Sequence, residues 1–473
     1  MSDWVALCRE RAREAGLPAA TAHLLDAFDR RPLPVRQDTW PALLEACRAD
    51  LPDLAARVRG HLAQEVDAAQ AAMFARRLTS VAGLLEELGE SVGSLFLVGL
   101  VRRVTEVLAD QAPRALRVRA VVDYFYSRAA VELHADGPGR PYAELLDGMR
   151  WADVGPGVQH ALLEGPGPLG PLHVNLLAVR DRRLHAVDDR PSGDLVARVR
   201  AEGALAGVSG GFFLYSEPDI APPCRRTDPV GLFVSAGEVV NPPVFARGAL
   251  LQDPDGRVHI DRLGLPGCRF THAGRTVEVT PGVAFTRADG PEAPTSGLLV
   301  VGRTVVGHGR VVPVGGFVLL GLDAPVGATL DVDLPRAVHT GIAGGPILLA
   351  PDGPVRDLHL EDFRGSAPPI TFSQDETYDQ NLLPRVAAGL RDDGTLLFAA
   401  VDGRNLERAP GLTLAATAEL LAAAGCRVAV NLDGGSSKRM VVGDRVVDLP
   451  STEVVAGATE HRVRPVHTAL LVL

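Results

Sequence analysis

Lysine is almost missing from this sequence. Of its 48 basic residues one, Lys438, is lysine, and the remaining 48 − 1 = 47 are arginine. Asparagine is scarce as well, at five positions. A lysine-coated electrostatic surface is therefore excluded. Basic charge is also in deficit, with 48 Lys and Arg against 58 Asp and Glu and a net charge of −10. That balance argues against nonspecific nucleic-acid binding and against an anionic membrane surface. Cysteine is sparse and scattered, at Cys8, Cys47, Cys224, Cys268 and Cys426, with no CxxC or Cys/His ligand spacing. Neither a zinc site nor a disulfide framework is indicated, and no EF-hand-like run of Asp ligands is present. No metal and no cofactor is expected. Long hydrophobic runs are lacking too. The longest apolar stretch, 92–101, stops at Arg102 and Arg103, too short to span a bilayer. The opening MSDWVALCRERAREAG is charged throughout and has no apolar signal-peptide core. The expectation is a soluble cytoplasmic protein.

What is there is a globular composition, 46% hydrophobic and 22% charged, in a chain long enough for two to four domains. Glycine usage divides it: residues 1–150 hold 9 of the 50 glycines. The first part reads as a helical domain over 1–150, of four to six helices. Apolar residues at helical spacing occur in 3–15 and 53–90, and Asp38-Thr39 before Pro41 gives a helix start. Residues 151–172, with GPGVQ and GPGPLGP, read as a Gly/Pro-rich joint. Residues 173–473 read as a β-rich mixed domain. Strand-like runs stand at 174–180, 231–240, 297–307, 316–322, 395–403, 427–435 and 468–473. Asp-Gly turns stand at 255–256, 352–353 and 393–394. One helix, 413–425, lies between two strands, with Thr413 as N-cap and Gly425 as stop. The fold class is α+β: an N-terminal all-helical region, then a mixed α/β, β-rich domain.

Chemistry concentrates where strands end. In VAVNLDGGSSKRMVV (428–442) an apolar strand runs into Asn431 and Asp433. Gly434 and Gly435 follow, then Ser436, Ser437, Lys438 and Arg439. Paired glycines let backbone N–H groups approach a ligand and form an anion nest. Asp433 at a buried strand end is a carboxylate with a tunable pKa. A plain β-hairpin turn fits the same residues. FAAVDGRN (398–405) repeats the plan with Asp402, Gly403 and Arg404. A crossover through the helix would set the two strands side by side and parallel, and both aspartates would emerge at one sheet edge, where ligands of open sheets bind. The plainer alternative is a surface Asp-Gly turn. In GVSGGFF (207–213), Ser209, Gly210 and Gly211 lead into a Phe pair better suited to core than to stacking. HTGIAGGPILL (339–349) supplies Gly344, Gly345 and a lone His339, an acid/base candidate that also fits a structural histidine. Arg385 opens a strand, where it can clamp phosphate or pair with a carboxylate. Walker A, Rossmann GxGxxG, G-x-S-x-G and HExxH patterns are all missing.

The order of these segments resembles the phosphodiester glycosidase family. The family pattern runs N-G-G-F-F, G-G-G-P-x-L, R-T-A-x-G, V-D-G-R, a helix, then N-L-D-G-G-G-S-S-T-M. The counterparts here are SGGFF (209–213), AGGPIL (343–348), RVAAG (385–389), VDGR (401–404), the helix 413–425 and NLDGGSSKRM (431–440). Agreement spans about 165–473, and residues 1–150 have no counterpart. The resemblance implies hydrolysis of the glycosidic C–O bond of a sugar-1-phosphodiester, such as an N-acetylglucosamine-1-phosphodiester, to free sugar and phosphomonoester. It implies Asp433 as nucleophile or base and Asp402 as partner or orienter. Arg385 and Arg404 would clamp the phosphate. Asn431 would orient Asp433 or bind a sugar hydroxyl. Gly344, Gly345, Gly434 and Gly435 would supply close backbone contacts, and Ser209 to Gly211 and Ser436 to Lys438 would complete the substrate surface. Three features depart from the pattern: Ser209 replaces asparagine, Ser436, Lys438 and Arg439 replace glycine, serine and threonine, and an export signal is missing. Lys438 is expected to face the substrate's phosphate. A different reading is a sensor that binds a phosphorylated glycan or nucleotide-sugar without turnover. The N-terminal helices would then engage a protein partner or a second copy.

Overall fold

The computed structural model describes residues 139–473, apart from 190–192, 214–228, 287–288, 314, 356–360, 362–381, 405–407, 456–457 and 463–464, and without the side chains of 452–464. The helical domain expected over 1–150 lies outside the described residues, except for the short helix α1 (Tyr142–Asp147).

The described chain is β-rich with few helices. Its frame is an eight-stranded antiparallel sheet. In chain order its members are β1 (Ala152–Gly155), β2 (Val158–Gly167) and β3 (Gly170–Val179). Later ones, numbered after intervening strands, are β11 (Ile347–Ala350), β12 (Gly353–Pro354), β13 (Arg385–Arg391), β14 (Leu396–Val401) and β15 (Cys426–Leu432). Their spatial order is β1-β2-β3-β14-β13-β15-β11-β12. The central strands read as unbroken apolar runs because both faces are covered. Side chains alternate across the pleat. Val174, Leu176, Ala387, Leu397 and Ala399 pack on one face beneath α1 and helix α3 (Leu414–Ala423). Leu177, Val386, Ala388, Phe398, Ala400 and Val430 pack on the other.

That second face is closed by two further sheets. One has the order β17-β16-β5-β18-β4, from β4 (Leu184–Asp188), β5 (Ala206–Ser209), β16 (Met440–Val442), β17 (Arg445–Val446) and β18 (Thr468–Val472). Helix α2 (Leu195–Glu202), capped by Asp194, lies on its outer side. The other has the order β7-β6-β10-β8-β9, from β6 (Phe233–Ser235), β7 (Glu238–Asn241), β8 (Arg247–Gln252), β9 (Val258–Leu263) and β10 (Thr340–Ala343). The hairpin of Glu292–Val301 and Thr304–Val311 contributes to a satellite core beside it.

Two expectations need correction. Residues 151–172 are not a joint: they form β1, β2 and the start of β3, inside the main sheet. Their Gly/Pro content marks a hairpin tip, where Gly167 pairs with Gly170 and Gly170 takes a positive φ of 122°. The strands bearing Asp402 and Asp433 are not neighbours either. β14 and β15 run in the same direction, but β13 lies between them, antiparallel to both. The three Asp-Gly pairs do sit in turns, between β8 and β9, β11 and β12, and β13 and β14. Thr413 caps α3 by accepting the Ala416 N–H at 3.0 Å.

Candidate active site

The register of the three central strands decides where the candidate residues go. Arg385 pairs with Val401, and Val386 pairs with Leu432. Asp402, Arg385 and Asp433 therefore leave the same end of adjacent strands, in a sheet whose neighbouring strands lie about 4.8 Å apart. The turns that follow are pressed together. A Cβ on Gly403 would stand 2.4 Å from the Pro384 nitrogen, and one on Gly434 would stand 2.6 Å from the Pro384 carbonyl oxygen. The Gly435 N–H donates to that same carbonyl at 2.8 Å. Arg404 adopts a left-handed φ of 62°, rare outside glycine. Its buried guanidinium Nη2 lies 3.9 Å from the Cβ position of Gly435. The Arg404 turn and the Gly434–Gly435 turn thus face one another across the start of β13.

The remaining glycine segments close on the same turn. The Asp433 N–H donates to the Gly210 carbonyl at 2.9 Å. Ser209 is buried, and its hydroxyl donates to the Asp433 carbonyl at 3.4 Å and accepts the Arg439 N–H at 3.1 Å. Gly211 stands against Ala343, with a Cβ position 2.4 Å from its carbonyl oxygen. Gly344 has still less room, its Cβ position lying 2.1 Å from the Asn431 carbonyl oxygen. Gly345 donates to that carbonyl at 2.7 Å, and the Asn431 side-chain amide donates back to Gly345 at 3.1 Å. Asn431 Oδ1 is buried and has no hydrogen-bond partner among the described residues. Phe212 and Phe213 are half-buried: Phe212 packs on the satellite core and Phe213 on His467, with ring centroids 4.1 Å apart.

The two aspartates differ in surroundings. Asp433 is partly exposed, whereas Asp402 is buried at 2% exposure. Asp402 Oδ2 lies 2.5 Å from His173 Nδ1. Its Oδ1 accepts from the Lys438 ammonium and, at 3.0 Å, from the Leu449 N–H. Lys438 donates further to Asp448 Oδ2 at 2.9 Å and to the Leu449 carbonyl at 2.8 Å. Lys438 therefore faces inward, contrary to the expectation that it faces a substrate phosphate. Ser436 and Ser437 are buried in the short 3₁₀ turn just before it.

His173 and Asp448 belong to this cluster, and the sequence singled out neither. His173 stands in β3 opposite Glu164, with Nε2 at 3.4 Å from Glu164 Oε1. Arg247 and Glu361 were missed as well. Arg247 donates to the Gly344 carbonyl at 2.8 Å, and Glu361 accepts the N–H groups of Gly248 and Ile347 at 2.5 and 2.8 Å. His339 stands apart, ahead of β10 and five residues from Gly344. Burial, then Arg183 and His185, hold its pKa below the usual histidine value. The thiols also lie elsewhere: burial pushes Cys426 up to about 11 and Cys268 up to about 12. Among the described residues, no group of three or more His, Cys, Asp or Glu is arranged for a metal ion. No described helix is long and apolar enough to cross a membrane.

Residues 273–473 match the model of the phosphodiester glycosidase family. This is the family that the motifs resemble. The match starts after SGGFF, yet β5, which carries Ser209, and β3, which carries His173, are hydrogen-bonded into the glycosidase-like segment. No curated protein matches the chain. Among solved structures, a hypothetical protein from Synechocystis is similar at 22% identity and TM-score 0.46, over 68% of this chain and 63% of that one. The chain thus spans under two thirds of that protein's length. A putative exported protein from Burkholderia pseudomallei K96243 follows at 24% identity and TM-score 0.43, over 66% of this chain and 75% of that one. The catalytic domain of zebrafish N-acetylglucosamine-1-phosphodiester alpha-N-acetylglucosaminidase, auto-inhibited by its pro-peptide, is 16% identical with TM-score 0.40, over 68% of this chain and 87% of that one.

Proposed function

We propose that the β-rich domain hydrolyses a sugar-1-phosphodiester, of which an N-acetylglucosamine-1-phosphodiester is the first to test. The observation that carries this reading is the convergence of Asp433, Arg385, Arg404 and the Gly434–Gly435 turn at one end of the main sheet. The reaction breaks the bond between the anomeric carbon and the phosphate oxygen. That oxygen keeps the electron pair and leaves as a phosphomonoester, and water supplies the hydroxyl of the free sugar. Positive charge grows on the sugar ring in the transition state. The partly exposed carboxylate of Asp433 neutralises it, as nucleophile or as the base that takes water's proton. Negative charge grows on the leaving phosphate, where Arg385, Arg404 and turn N–H groups stabilise it. Phosphate is a better leaving group than an alkoxide, so this half of the reaction makes little demand on a general acid.

The test is release of free sugar from an N-acetylglucosamine-1-phosphodiester. The wild type is expected to turn it over, and Asp433→Asn to lose on the order of 10²–10⁴-fold in kcat. Full turnover by Asp433→Asn would remove Asp433 from the mechanism. Binding without release of sugar by the wild type would favour a sensor of phosphorylated glycans.

A further inference from the structure

Lys438 stands where the family pattern has a serine, and its environment gives it a different task from phosphate binding. Its side chain is 0% exposed. An ammonium has three protons to donate. Here they meet Asp402 Oδ1, Asp448 Oδ2 and the Leu449 carbonyl. None remains for a ligand.

The acceptors come from two different pieces of chain. Asp402 opens the turn that presents Arg404 in its left-handed conformation. Asp448 stands beside the turn that follows Asp433: its Oδ1 accepts the Met440 N–H at 2.6 Å, where that turn enters β16. The second oxygen of Asp402 is held by His173, so both carboxylate oxygens are engaged. Asp402, at 2% exposure, has no open face toward a substrate. Without the ammonium, Asp402 and Asp448 would be left as two buried carboxylates with Arg439, whose Nε lies 3.7 Å from Asp448 Oδ2, as the guanidinium beside them, a loss of counter-charge that is strongly unfavourable.

We propose that Lys438 is a positioning residue, a buried counter-ion that ties the Arg404 turn to the Asp433 turn. Asp402, Asp448 and His173 complete the tie, and none of the four touches substrate. Of the two aspartates, Asp433 is then the substrate-facing one. This rests on the phosphodiester-glycosidase reading only for the identity of the anion that the two turns grip.

The experiment compares Lys438→Met, Lys438→Arg and the charge-balanced pair Lys438→Met with Asp448→Asn. It reads inorganic phosphate affinity by calorimetry, Tm, and KM against kcat on the phosphodiester. Lys438→Met and Lys438→Arg are both expected to lower Tm. They should weaken phosphate binding on the order of tenfold, the lower end of what loss of an outer-shell partner costs a metal site. A guanidinium is larger than the ammonium that this fully buried position encloses. The charge-balanced pair is expected to recover Tm but not phosphate affinity, because the tie itself is gone. Three results overturn the proposal. Wild-type phosphate affinity in Lys438→Arg would mean direct contact, since arginine binds phosphate at least as well as lysine. Recovery of both Tm and affinity by the pair would mean a purely structural charge. Failure of the wild type to bind phosphate would leave the turns nothing to position. Wild type that binds phosphate but releases no sugar defeats the proposed function and leaves these comparisons intact.

Discussion

Gly344 shows how tightly single residues set this site. A methyl group there would stand 2.1 Å from the Asn431 carbonyl oxygen, which is backbone and also bonded to the Gly345 N–H. Neither strand can yield without moving the turn that begins at Asp433. Gly344→Ala is therefore expected to destabilise the fold by about 1–3 kcal/mol and to lower turnover. Urea denaturation reads the first and sugar release the second, and an unchanged midpoint would show that the contact is slack. The sequence disclosed this glycine because it stands in a recurrent Gly-Gly pattern ahead of an apolar strand. It disclosed Asp433, Asp402, Arg385 and Arg404 because each adjoins the end of an apolar run. It gave no sign of His173 or Asp448. His173 lies at the start of a run that reads as core, and its partner Asp402 is 229 positions away in sequence. Asp448 follows a short exposed hairpin with no motif around it. Such partners are set by strand pairing, which a single sequence does not print.

At the scale of elements, the sequence carries local chemistry and not strand neighbourhood. Thr413, Gly425 and the Asp-Gly turns act through bonds to residues two to four positions away, so their signals are local. Helix α3 and the hairpin between β13 and β14 follow directly. Strand order is a different kind of fact. β13 slips between β14 and β15 because an antiparallel hairpin to β14 is the short connection, and α3 then carries the chain over it to β13's other edge. The insertion puts the start of β13, with Arg385, between the strands that end at the two aspartates, in place of the side-by-side pairing that a crossover usually gives. The Gly/Pro stretch at 151–172 misled for a related reason. Glycine and proline mark hairpin tips as readily as domain joints, and only the register of β2 on β3 tells which.

The whole molecule is less divisible than its family match. The matched segment begins at 273, but β14 is paired with β3, and β16 and β18 are paired with β5. A fragment of residues 273–473 would expose the edge of β14, one face of its sheet and the cradle of Asp402. It is expected to aggregate or to melt without cooperativity, whereas residues 139–473 should melt in a sharp transition. A cooperative melt of the shorter fragment would show that β1–β9 merely decorate the domain.

The cage around the ammonium has a consequence for the chemistry of the folded protein. The sequence's one lysine side chain is sealed at 0% exposure, and every basic side chain elsewhere is a guanidinium or an imidazole. Amine-selective acylating reagents then find no side chain to modify while the cage is closed. Acylation of Lys438 becomes a clock for its opening, read by mass in a background with no competing lysine.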